Sequence, residues 1–71
     1  MIYFTNYANK KFDLLNAYKV FITKEQVEET AKNPETVLKK GKYLFATKES
    51  VCVVLTKEDS INKIITFYPV K

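Results

Sequence analysis

The dipeptide Asn33-Pro34 divides the chain into two kinds of pattern. Upstream, apolar residues recur at helical spacing; downstream they fall in short runs rich in β-branched and aromatic residues. A residue before proline is disfavoured in the helical region, so any helix must end there. Beyond it, Lys40-Gly41-Lys42, KES at 48–50 and KEDS at 57–60 separate the apolar runs. Connections this short join antiparallel neighbours only.

These signals predict two helices followed by a meander. Thr5 or Asn6 caps a first helix running from Asn6 to about Lys19. Thr23 opens a second helix, with Gln26 at capping-box spacing and Val27 and Ala31 as a narrow buried stripe. Strands follow at Thr36–Lys40, Tyr43–Thr47, Val51–Thr56 and Ile61–Tyr68. The expected fold is α+β: two N-terminal helices packed on an antiparallel sheet of three to four strands, with Met1–Phe4 as a candidate short edge strand. Seventy-one residues make a single domain, 1–71, near the lower limit for a core that folds without staples.

Two features do not fit a plain two-layer protein. The first helix has an apolar arc of Leu14, Tyr7, Tyr18, Leu15, Ala8 and Phe12, and Lys11 falls inside it. Either the lysine stem covers the core edge while its ammonium reaches water, or the helix borders a polar cleft there. The second feature is the sheet. VCVVL at 51–55 does not alternate, and simple alternation in INKIITFY puts Ile61, Ile65 and Phe67 on one face and Ile64 and Tyr68 on the other. The sheet centre is then apolar on both sides although helices cover only one. Either strand ends and loops wrap the second face, or it meets a partner chain or stacked bases.

The chain carries no histidine, one cysteine and one glycine. Zinc constellations, Ser-His and Cys-His pairs, and glycine-rich phosphate loops are absent from the sequence, so no metal site and no cofactor is expected. The lone Cys52 forms no internal disulfide, no stretch is long enough for a membrane span, and no signal-peptide pattern opens the chain. A cytoplasmic location is the expectation. All twelve basic residues are lysines, and the net charge is +4. Residues 1–35 are balanced, so the excess lies entirely in the strand half. That suggests a polyanionic partner, with a merely solvated lysine surface as an equal alternative. The chemistry left is that of lysine, which holds phosphate, and tyrosine, which stacks or donates a proton. The candidates are Lys11, Tyr7, Lys42, Tyr43, Lys63 and Tyr68. Each has a plainer reading too, as a solvated lysine or a tyrosine at the core edge.

FTNYANKK at 4–11, VFITKEQVEETAKNPETV at 20–37 and the closing IITFYP at 64–69 together resemble the DUF4258 family, related to BrnT-like members of the RelE/ParE toxin superfamily. The resemblance spans nearly the whole chain and is most specific in the Ile22–Pro34 helix and the TFYP end. It implies a RelE-like fold, contact with RNA or the ribosome, and metal-free RNA cleavage in which the 2′-hydroxyl is the nucleophile. A histidine position of the family falls on Tyr7, and its basic position on Lys11. Tyrosine does not serve as a near-neutral base, and lysine lacks the planar fork that grips phosphate. The expectations are accordingly a toxin-related protein, active or catalytically degenerate. Lys11, Tyr7 and Tyr68 would be its catalytic candidates, and Lys42, Tyr43 and Lys63 its RNA-binding ones. An antitoxin would cover the apolar sheet face. The alternative is a non-enzymatic interaction module that uses that face for a protein partner or for self-association.

Overall fold

Thr5 starts the first helix, α1 (Asn6–Ala17), by accepting the Ala8 amide at 3.2 Å. The same hydroxyl donates to the Ile64 carbonyl at 3.0 Å, so the cap also ties the helix to the last strand. The helix ends earlier than the apolar pattern suggests. Lys19 turns to φ 60, and the Val20 and Lys19 amides return to the Leu15 and Asn16 carbonyls. That is a Schellman stop made without glycine, closed by Val20 and Leu15 packing on the core. Helix α2 (Lys24–Lys32) has the expected capping box, with Thr23 and Gln26 each satisfying the other's backbone amide. It ends at Asn33, before Pro34.

In this computed structural model, which describes residues 1–70, five strands follow the order β1-β5-β4-β3-β2. They are β1 (Ile2–Phe4), β2 (Thr36–Lys40), β3 (Tyr43–Lys48), β4 (Val51–Glu58) and β5 (Ile61–Pro69). The expected antiparallel meander is present, but the sheet is mixed and has five strands. The short N-terminal strand is an integral member, parallel to β5 through Ile2–Asn62, Tyr3–Lys63 and Phe4–Ile64. β1 covers only the first half of that edge of β5. No helix of the described residues is long and apolar enough to cross a membrane.

The helices cover one face of the sheet. There Val51, Val53 and Leu55 of β4 pack with Ala46, Ile64 and Phe67 beneath Ala8, Ile22 and Val27. A line of rings, Phe4–Phe12 at 5.9 Å and Phe12–Phe67 at 4.5 Å, joins β1, α1 and β5. Simple alternation is wrong for β5. Val54 pairs with Thr66 and Leu55 with Ile64, leaving Ile65 as an extra residue in a bulge. The bulge resets the alternation, so Ile64 and Phe67, both fully buried, lie on the same helix-covered face.

Each two-residue hairpin loop needs positive φ at its first central residue, as type II′ geometry does. Gly41 supplies it at φ 59, but Glu49 and Asp59 adopt φ 55 and 56 with full side chains. The Glu49 amide is held by the Glu35 carboxylate at 3.0 Å. A left-handed residue other than glycine costs roughly 1–2 kcal/mol. Glu49→Gly is therefore expected to raise stability by about 1 kcal/mol, and Gly41→Ala to lower it by a similar amount. Urea denaturation of both variants checks the pair.

Candidate functional site: the uncovered sheet face

The face turned away from the helices is ordered by strand register into three rows. One runs Tyr3, Lys63, Thr56, Tyr43, Lys40, with Tyr43 one step beyond the Leu44–Leu55 pair. The middle row is Thr66, Val54, Phe45, Leu38, and the third is Tyr68, Cys52, Thr47, Thr36. No helix lies over these rows, yet Cys52, Val54 and Thr56 are buried. They are the central strand of the sheet, and the larger side chains on either side rise above them. VCVVL lacks alternation because its second face is buried between taller neighbours too, with Cys52 in the floor of a trough. The trough holds about 520 Å³, floored by Cys52 and Thr47 and walled by Phe45, Leu38 and Tyr68, with Lys40 on its lip.

Charge is distributed unevenly over this face. Lys40 and Lys63 lie in the first row, and Lys42 projects from the adjoining turn. Lys42 Nζ is 5.5 Å from the Tyr43 ring centroid and Lys40 Nζ is 5.9 Å from that of Phe45. Among the described residues, Glu58, one step beyond the first row, is the one strand carboxylate in register with the face, and with Asp59 it lines a hollow shared by Tyr3 and Lys63. Glu25, Glu28 and Glu29 are on α2 instead. Glu29 accepts Lys48 Nζ at 2.6 Å and Asn33 at 3.2 Å, bonds that hold its carboxyl below its ordinary pKa. The ion pair is exposed and fastens α2 to β3 on the opposite side of the sheet.

Lys11 now has an explanation. Its half-buried stem follows α1 to the part of β5 that β1 leaves uncovered, and Nζ donates to Thr66 Oγ1 at 2.9 Å. The ammonium lies 6.0 Å from the Phe67 ring centroid and 5.9 Å from that of Tyr68. The stem packs at the core edge, as the first sequence reading has it, with the ammonium on a sheet hydroxyl, while the hollow beside Lys11, shared with Tyr7, Lys10 and Leu14, is apolar and not a polar cleft. The rest of the expected apolar arc is split. Ala8, Phe12 and Leu15 face the core, while Tyr7, Leu14 and Tyr18 are exposed beside Lys11.

Of the sequence candidates, Tyr43 and Lys63 share a row, with Lys42 against Tyr43. Lys11 and Tyr68 adjoin at the opposite end. Tyr7 is 65% exposed on the helical layer and lines a shallow hollow with Lys10, Lys11 and Leu14, not the sheet trough. Sequence reasoning missed Lys40, Phe45 and Cys52. The alternation of Tyr43, Phe45 and Thr47 on β3, read with Lys40 across the hairpin, carried that information.

The Cys52 thiol, the cross-strand neighbour of Tyr68, pushes its phenol above the ordinary pKa, and burial adds to the shift. Tyr68 is thus a proton donor at neutral pH. Among the described residues no group of three or more potential metal ligands forms. No protein-family model, curated protein or solved structure matches the chain.

The Tyr68 shift fixes a pH dependence. Its folded-state pKa is raised, so the associated stabilisation is complete below the unfolded value of about 10 and is lost as pH rises through the folded one. Cys52→Ala is expected to move the Tyr68 titration down towards its ordinary midpoint, followed by the ring carbon NMR shift.

Proposed function

We propose that this chain is a RelE/BrnT-like, toxin-related protein of the DUF4258 type that contacts single-stranded RNA through its uncovered sheet face. The observation that supports this reading is the pairing, on one open surface, of lysines with aromatic rings and an apolar floor. Lys40, Lys42 and Lys63 meet phosphates, while Tyr43, Phe45 and Tyr68 offer rings on which bases stack. Two helices ahead of a strand meander, with Lys11 and Tyr68 adjoining at the sheet edge, fit the resemblance read from the sequence.

The reading stops at binding. Metal-free cleavage needs a group that takes the proton from a 2′-hydroxyl near neutral pH. Lys11 offers a cation and Tyr68 a protonated phenol, both suited to stabilising negative charge or protonating a departing oxygen. With its pKa pushed up, the Tyr68 phenol is not that base, and the chain has no histidine to serve instead, which supports an RNA-binding, catalytically degenerate member.

Self-association is the second reading, favoured by Leu38, which is 57% exposed in the middle row. Salt separates the two. RNA held by three lysines is expected to lose affinity with a log–log salt slope of about −2. Lys42→Ala with Lys63→Ala should flatten that slope and weaken binding. A dimer formed through the apolar rows would be nearly salt-independent and broken by Leu38→Lys. Fluorescence anisotropy of a labelled single-stranded RNA, run beside sedimentation of the protein alone, distinguishes them. Absence of RNA binding at low salt contradicts the proposal.

A further inference from the structure

The trough on the open face has a shape and chemistry more specific than general attraction for a polyanion. Its volume of about 520 Å³ lies within the range of small-ligand clefts, roughly 300–1,000 Å³. An aromatic ring stands on each side, Phe45 beside Leu38 on one and Tyr68 on the other, two strands away, and Thr36, Val37 and Val70 complete the lining. Cys52 and Thr47 keep the floor low because they are small. Hydroxyls of Thr47 and Tyr68 bring hydrogen-bonding capacity to the same space, with the phenol protonated at neutral pH. Lys40 places a positive charge on the lip, and among the described residues no carboxylate lines the trough.

A complementary ligand has flat apolar faces, a polar edge and negative charge at one end. We infer that the trough seats one unpaired nucleobase, placed between Phe45 and Tyr68 with its phosphate at Lys40. This inference rests on the RNA-binding reading and adds to it a fixed position for a single nucleotide. Bases further along the strand would lie over Tyr43, with their phosphates near Lys42 and Lys63. The backbone would then follow the lysine-bearing end of the sheet. Stacking and one phosphate contact together give weak but titratable binding for a monomer, and the seat fills more tightly as part of a longer strand.

The test titrates isotope-labelled protein with adenosine 5′-monophosphate, adenosine and ribose 5-phosphate in separate samples. Adenosine 5′-monophosphate should shift the amides of Phe45, Thr47, Cys52 and Tyr68, and its base protons should move upfield from the ring currents. Adenosine should reach the same amides more weakly, and ribose 5-phosphate should perturb the Lys40 lip alone. Lys40→Ala should weaken the monophosphate roughly tenfold, towards the level of adenosine. Phe45→Leu, which keeps an apolar wall, should remove the upfield shift while the protein remains folded. Shifts confined to Lys42 and Lys63, without ring-current movement of the base, would overturn the seat. A single-stranded RNA titrated into the same protein separates the two failures. If RNA binds while the monophosphate leaves the trough unmoved, the seat is wrong and the RNA reading stands. If neither binds, both fall.

Discussion

The bulge at Ile65 determines what both faces of this protein can be. Without the extra residue, strict alternation would set Ile64 and Phe67 on opposite sides of the sheet. One of the largest core side chains would then leave the helical layer and lie in the open. Truncation of a buried phenylalanine costs about 3–5 kcal/mol, a large share of what so small a domain has available. With the bulge, Ile64 and Phe67 both pack under α1, while Thr66 and Tyr68 turn to the other face. The same single residue thereby completes the core and supplies one wall of the trough.

The helical layer is anchored to that strand by polar contacts at each end of its packing surface. Thr5 caps α1 and bonds to the Ile64 carbonyl; Lys11 crosses to Thr66. Between them the Phe12 ring packs, tilted, against Phe67. A lysine on the inner side of a helix is costly only if its charge is stranded. Here the ammonium meets a hydroxyl and two ring faces at the strand edge that β1 does not reach. The residue that looks misplaced in the sequence lies where core, sheet edge and open face meet.

Much of the architecture was legible because local chemistry and global fold agree. The Thr23–Gln26 capping box, the stop at Asn33-Pro34 and the Lys40-Gly41-Lys42 turn each act over a few residues and are present as read. The end of α1 was not legible, since Lys19 takes the left-handed conformation that glycine would have advertised. Nor was the bulge, because an inserted residue in a β-branched run leaves no mark on composition and is fixed only by pairing with β4. The site followed the same division. Tyr43, Lys63 and Lys42 were identified as residue types and do share a region of one face. Tyr7 was a candidate because a histidine position of the resembled family falls on it, but it lines a hollow of the helical layer with Lys11 and not the trough. Lys40, Phe45 and Cys52 emerge only once strand register aligns them across the sheet.

Exposed aromatics are present on both layers, which makes the central claim directly testable. The helical layer offers Tyr7, Tyr18 and Phe21, exposed by 65, 74 and 71%, and the sheet face offers Tyr43 and Tyr68, exposed by 39 and 36%, with the half-buried Phe45. Ultraviolet cross-linking of a uridine-rich single-stranded RNA, followed by peptide mapping of the adducts, asks which layer the bases meet. Adducts on Tyr43, Phe45 or Tyr68, suppressed by salt, are the predicted result. Adducts on Tyr7, Tyr18 or Phe21 with the sheet face untouched would contradict the account.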